Sequence, residues 1–207
     1  MSSALPCIEI VSAVSTDAYR EDPVGVSQPA FSIIKNAEGA IKIYHGLQSE
    51  EAKGVYLYVV WETLDHHRKF QADATEYPKL IEKTSSIWGA APRILHVHPT
   101  TDPYAALAAP VTELALLTIK PGQSKEALLD IVKKLTTDGT PGEKGFVSAV
   151  YGTVAESDDT IALIAGWESV EAHWKLVTTD PEAVALLTQM RSIATPEIAH
   201  AALREVN

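Results

Sequence analysis

The chain holds a single cysteine, Cys7, so no intramolecular disulfide can form. Cations are scarce: 17 lysines and arginines stand against 27 acidic residues, a formal charge of −10. A phosphate-backbone partner needs clustered lysine and arginine, which argues against nucleic-acid binding. The same deficit disfavours an anionic membrane surface. No uninterrupted apolar run approaches the ~18 residues of a membrane-spanning helix. The opening Met1-Ser2-Ser3-Ala4-Leu5-Pro6 has neither the basic start nor the long apolar stretch of a secretory leader. A cytoplasmic protein is the expectation from these absences. G-x-G-x-x-G, a P-loop and a G-x-S-x-G elbow are missing as well, which removes most support for nucleotide, nicotinamide and serine-hydrolase chemistry.

What is present is ordinary for a globular protein: 46% hydrophobic and 21% charged residues over 207 positions. That length allows one large domain or two of about a hundred residues, each able to bury a small core. Internal similarity decides for two. Trp61-Glu62-Thr63-Leu64-Asp65-His66-His67-Arg68-Lys69 reads onto Trp167-Glu168-Ser169-Val170-Glu171-Ala172-His173-Trp174-Lys175, a spacing of 106 residues that also brings Gly46 onto Gly152. Near the ends the spacing is 104: Pro92-Arg93-Ile94-Leu95-His96 matches Pro196-Glu197-Ile198-Ala199-His200, and Pro6-Cys7-Ile8-Glu9-Ile10 matches Pro110-Val111-Thr112-Glu113-Leu114. Three separated blocks in one order indicate duplication. The two prolines of Pro99-Thr100-Thr101-Asp102-Pro103 mark a linker. The expected boundaries are repeat one at 5–99, linker at 100–109 and repeat two at 110–207.

Repeat two has the clearer pattern. Val111–Lys120 is apolar on both faces and predicts a strand covered on both sides, ended by Pro121-Gly122. Ser124 is a helix cap, Leu128, Ile131, Val132 and Leu135 recur at helical spacing, and Gly139 terminates the helix. Strands at Phe146–Val154 and Thr160–Trp167 are joined by the turn Ser157-Asp158-Asp159. Ser169 caps a helix that Asp180-Pro181 interrupts, and Pro196 opens a closing strand. Repeat one follows with a strand at Cys7–Val14, an extra loop over Ser15–Ser27, a short helix near Pro29–Lys35, strands at Ile41–Leu47 and Val55–Trp61, a helix from Thr63 to about Trp88 interrupted at Pro78, and a strand at Pro92–His98. The order β-α-β-β-α-β places two helices on one face of an antiparallel sheet. Strands apolar on both faces need cover on the other face, which the second copy can supply. The expected fold class is α+β: two tandem ferredoxin-like repeats packed sheet to sheet as a pseudo-dimeric α/β barrel. The space between sheet and helices in each half is then a natural small-ligand pocket. Fused repeats satisfy one another, so a monomer is expected, with a homodimer as the other possibility.

These features resemble the dimeric α/β barrel superfamily and, within it, the antibiotic-biosynthesis-monooxygenase-like group in a tandem single-chain form. The likeness rests on a strand ending in Trp-Glu followed by a helix start with an acid and a histidine, at Trp61 to His67 and Trp167 to His173. The Gly46 and Gly152 turns and Thr179-Asp180-Pro181 add to it, and it spans nearly the whole chain. The resemblance implies small-molecule handling in the barrel cavity, by cofactor-independent monooxygenation, polyketide cyclisation, heme degradation or a stress-responsive binding role. The heme-degrading branch places an asparagine on the first strand, and neither Cys7–Val14 nor Val111–Lys120 has one.

His67 and His173 each lie on an apolar helix stripe, with Leu64 and Phe70 and with Val170 and Leu176. A partly buried imidazole there can act as a general base, or simply position a helix–sheet junction. His96 and His200 sit on the closing strands, His96 as a cavity-facing base and His200 near the chain end, where a plain surface position is the competing reading. His96-x-His98 could offer two metal ligands, but no cysteine or close carboxylate joins them in sequence, so no metal is assigned. Tyr44, Tyr56 and Tyr58 on the middle strands of repeat one, with Trp61 and His173, are candidates to line a substrate pocket; plain core packing is the competing reading. Because repeat two has few such tyrosines, pocket chemistry is expected mainly in repeat one. The expected function is an enzyme that needs no bound cofactor and deprotonates a phenolic or polyketide-like substrate with His67 and His96, oxygenation or cyclisation following. A non-catalytic binding or stress-responsive barrel is the alternative.

Overall fold

The computed structural model describes residues 5–137 and 142–207, so the helix terminator read at Gly139 lies outside the described residues. In chain order the elements are β1 (Cys7–Val14), α1 (Asp17–Glu21), α2 (Pro23–Lys35), β2 (Ala40–Leu47), β3 (Gly54–Trp61), α3 (Leu64–Gln71), α4 (Glu76–Thr84) and β4 (Arg93–Pro99). There follow α5 (Tyr104–Leu107), β5 (Val111–Ile119), α6 (Lys125–Thr137), β6 (Phe146–Val154), β7 (Ser157–Trp167), α7 (Val170–Thr179), α8 (Pro181–Ile193), β8 (Ala194–Ala201) and β9 (Arg204–Glu205). They form two compact units. Unit one takes the chain up to His98 together with Arg204–Asn207, and unit two runs Pro99–Leu203.

The fold is α+β, and the strands pair antiparallel within each unit. Unit one has the order β4-β1-β3-β2-β9, and unit two has β8-β5-β7-β6. The first four strands of each unit thus occupy the same sheet positions, and both carry an irregularity at the same place, between Ala40 and Lys42 and between Phe146 and Ser148. In unit one the helices pack on Val11, Val55, Leu57, Val59 and Trp61 through Phe31, Ile34, Phe70 and Leu80. In unit two, Ala115, Leu117 and Ile161 meet Leu128, Ile131, Val132 and Met190.

Several local expectations are corrected. The supposed loop over Ser15–Ser27 holds α1 and most of α2. Thr16 caps α1 by accepting from the Tyr19 N–H, Asp22 caps α2 by accepting from the Gly25 N–H, and Pro23 starts α2 where no N–H is needed. The buried stripe of α2 is Ser27, Ala30, Phe31 and Ile34, helical spacing concealed because two of the four are small. The break in the helical stretch after Thr63 falls at 72–75, where Asp73 accepts from the Thr75 and Glu76 N–H groups, and Pro78 sits harmlessly in the first turn of α4. Ser157 already pairs with Val154, so the hairpin turn is Ala155-Glu156.

Gly46 and Gly152 lie within strands, opposite Tyr56 and Ala162. The turn glycines are Gly39 and Gly145, at φ 81° and 77°. A Cβ on Gly145 would fall 2.5 Å from the Ala172 Cβ, and one on Gly39 would fall 2.3 Å from the His66 ring. Their carbonyls accept from Glu62 and Glu168, which ties each Trp-Glu corner to the start of the next helix. The residues expected as a linker, 100–109, belong to unit two: they include α5, the Thr112 hydroxyl donates to the Ala106 carbonyl at 3.0 Å, and Ala106, Leu107 and Ala109 are buried.

Candidate functional site

Each unit carries the same chain of four side chains. In unit two, β5 presents Glu113, the end of β7 presents Trp167, α7 presents His173 and β8 presents His200. Ser169 sets the start of α7 by accepting from the Ala172 N–H, which aims His173 at the sheet. The Trp167 Nε1–H donates to Glu113 Oε2 at 2.8 Å. The same carboxylate stands 3.5 Å from His173 Nε2. On the other side of the ring, His173 Nδ1 lies 2.8 Å from His200 Nε2, so one of those two nitrogens carries the shared proton. Trp167 and Trp174 both pack on the His173 ring, with centroids 4.8 Å away.

Unit one repeats this with Glu9 on β1, Trp61 at the end of β3, His67 on α3 and His96 on β4. The Trp61 Nε1–H donates to Glu9 Oε2 at 2.9 Å, Glu9 Oε1 is 3.5 Å from His67 Nε2, and His67 Nδ1 is 2.6 Å from His96 Nε2. Trp61 stacks on His67 at 4.9 Å and 18°. All the carboxylates and histidines of both chains are buried. Burial raises the Glu9 carboxyl from 4.5 to about 7, against the lowering effect of the Trp61 hydrogen bond.

The space beside the two chains differs. In unit two a cavity of about 200 Å³ is lined by Glu113, Trp167 and His173 on one side and by Phe146, Leu163, Leu176, Ala183, Leu186 and Leu187 on the other. Lys144 and Asp180 pair at 2.6 Å on its rim. In unit one the equivalent cavity, beside Glu9, Trp61 and His67, is about 50 Å³, and Phe70, Tyr77, Leu80 and Trp88 line it. Of the two cavities beside the Glu–His–His chains, the one in repeat two is the larger, whereas pocket chemistry was expected mainly in repeat one; a separate space of about 230 Å³ in unit one, lined by Glu38, His66, Lys69 and Asp73, does not reach its Glu9 or His67.

The structure brings together three of the expected site residues, His67, His96 and Trp61, and sets His173 in the matching chain of unit two. Tyr44, Tyr56 and Tyr58 are not brought to either. On β3, Val55, Leu57, Val59 and Trp61 face the helices, so Tyr56 and Tyr58 point to the opposite face, and Tyr44 pairs with Tyr58. All three are buried. Tyr44 lies beside Lys42 and Glu205, and burial pushes its hydroxyl up to about 12. His200, read as near a chain end, has no exposed surface. His98 is exposed, whereas His96 is buried. Cys7 is packed in the core of unit one. Sequence reading passed over Glu9 and Glu113. Both recur in the matched blocks, each on a strand among apolar residues, where an acid is rare unless it is paired.

Glu113, His173 and His200 offer one donor atom each within 4.8 Å of one another. Glu113 and His200, however, face different nitrogens of His173. A second buried pair, the Tyr19 hydroxyl 2.7 Å from His45 Nδ1, stands apart from both chains, and burial lowers His45 to about 4. No helix of the described residues is long and apolar enough to cross a membrane.

No family model matches the sequence, and no curated protein matches it. Solved structures do match in shape. A candidate monooxygenase from Lactobacillus acidophilus NCFM superposes with a TM-score of 0.67 at 16% identity, covering 98% of this chain and 96% of its own. A candidate monooxygenase from Fusobacterium nucleatum gives 0.73 at 10%, covering 100% and 96%. An anthrone oxidase-like protein gives 0.68 at 12%, covering 99% and 94%. At these identities the likeness to the three proteins is one of fold.

Proposed function

We propose that the chain is a small-molecule oxygenase of the antibiotic-biosynthesis-monooxygenase-like type. It acts on a phenolic or enolic, polyketide-like substrate by histidine general-base catalysis, with no bound organic cofactor. The observation that carries this reading is the duplicated Glu–His–His chain set against an apolar cavity. For His173 Nε2 to accept a substrate proton, Nδ1 must hold the other one and donate it to His200, so His200 selects the reactive tautomer. A substrate hydroxyl approaching from the cavity can give its proton to His173 Nε2, and the Glu113 carboxylate, 3.5 Å away, then stabilises the imidazolium that forms. His67, backed by His96 and Glu9, has the same design. The anion left on the substrate is electron-rich enough to meet dioxygen directly or to close a ring on its own carbonyl. The names of the structural neighbours, monooxygenase and anthrone oxidase-like, agree with the oxygenation branch.

Oxygen uptake and product analysis with anthrone, 1-naphthol and a hydroquinone test the catalytic reading. Turnover by the wild-type chain, falling about 100-fold or more when both His67 and His173 are changed to alanine, is the expected result. Tight binding of these phenols with neither oxygen consumption nor cyclised product would instead make the chain a sequestering protein.

A further inference from the structure

The two chains of Glu, Trp and His are near copies, yet one faces four times the space of the other. The cause can be read position by position, because α3–α4 and α7–α8 keep the 106-residue spacing through the cavity. Tyr77, Leu80 and Ile81 line the small cavity, and Ala183, Leu186 and Leu187 line the large one at the matching positions. Tyr77 and Phe70 meet edge to face at 5.7 Å and close the unit-one space, whereas unit two has Ala183 and Leu176 there. On the sheet, Val59 becomes Ala165 and Ile43 becomes Ala149, both cavity-lining in unit two. One change runs the other way, Ala40 to Phe146. Four reductions against one enlargement leave the space open, and the Tyr77-to-Ala183 difference is the largest, since it removes a whole phenol ring.

We infer that each chain takes one ligand, a phenol of one or two rings, in unit two alone, and that Ala183 is the residue that decides this. The inference rests on the proposed function for its ligand class. The volume supplies the size limit, because about 200 Å³ is small by the standard of drug-sized sites. Unit one keeps the Glu–His–His chain but fills the space beside it with Tyr77. Its histidines hold the α3–sheet junction together and meet no ligand.

The test is calorimetric titration of the full chain with 1-naphthol under anaerobic conditions, so that binding is measured without turnover. One site per chain is expected. Ala183→Tyr should weaken that site by roughly tenfold or more, and Leu176→Phe, a milder filling that preserves the helix, should weaken it in the same direction. Tyr77→Ala should add a second site. Circular dichroism and the thermal midpoint confirm that each variant is folded. Two sites in the wild-type chain, binding indifferent to both filling variants, or no 1-naphthol binding at all would overturn the inference. Failure of catalysis with one-to-one binding intact would sink the oxygenase reading and leave this one standing.

Discussion

At the scale of single residues, Glu9 and His45 are buried groups whose protonation is displaced in ways that oppose one another. Glu9 is raised from 4.5 to about 7, so the folded chain holds its proton where the unfolded chain has lost it. Its contribution is fully present below pH 4.5 and is lost as pH rises to about 7. His45 is lowered from 6.5 to about 4, so its contribution is present above pH 6.5 and is lost as pH falls to about 4. Across pH 4.5 to 6.5 the two trends offset each other. Glu9→Gln should therefore leave a chain that loses stability steadily on acidification through that window, while His45→Gln should leave one that gains it. Urea midpoints measured from pH 4 to pH 8 decide this, and identical profiles for the three proteins would contradict it. The tryptophans give a second expectation. Trp167→Phe removes the indole N–H hydrogen bond to buried Glu113, at a cost of about 1–3 kcal/mol measurable by denaturant titration.

The histidines were legible in the sequence because helical spacing set His67 and His173 on apolar stripes. What joins them was not legible. Glu9 and Glu113 sat in plain view in the repeated blocks, but a strand's alternation shows which face a residue takes and not what stands across the gap. The tyrosines failed for a related reason: alternation put Tyr56 and Tyr58 on one face together, and only the packing of α3 and α4 shows that the histidines use the other.

At the scale of elements, the two units agree more closely in turns and caps than in helices. Gly39 and Gly145, Thr63 and Ser169, and the two Trp-Glu corners all perform the same tasks in both units. Gly145→Ala forces a left-handed backbone onto a residue with a side chain and drives its Cβ into Ala172. A loss of roughly 1–3 kcal/mol is expected. Ser169→Ala should cost about 1 kcal/mol through the lost cap and loosen the placement of His173. Chemical denaturation measures both, and no loss in either variant would contradict this account of the corner. The first helices of the units illustrate the limit of pattern reading. Leu128, Ile131 and Val132 announce α6 openly, whereas α2 hides behind Pro23, Gly25 and Pro29 and buries Ser27 and Ala30 where larger residues would be sought.

At the scale of the whole molecule, the division of the chain is not the serial one expected from the repeats. Arg204 and Glu205 pair with His45 and Tyr44, Lys42 meets Glu205 at 2.7 Å, and the Val206 N–H donates to the Ile43 carbonyl at 2.9 Å. Truncation after Leu203 should strip amide protection from β2 in hydrogen exchange while β5 and β7 keep theirs. Equal loss in both sheets would show that the final residues serve more than unit one.

That edge strand makes unit one discontinuous, with unit two nested inside it as an insertion. A cut near residue 99 therefore leaves the first half without the strand that pairs with β2. During synthesis the first sheet must wait, its outer edge open, until more than a hundred further residues have been made. An unsealed strand is a template for pairing with a neighbouring chain, so the nested topology places the greatest risk of misassembly early, before unit two exists.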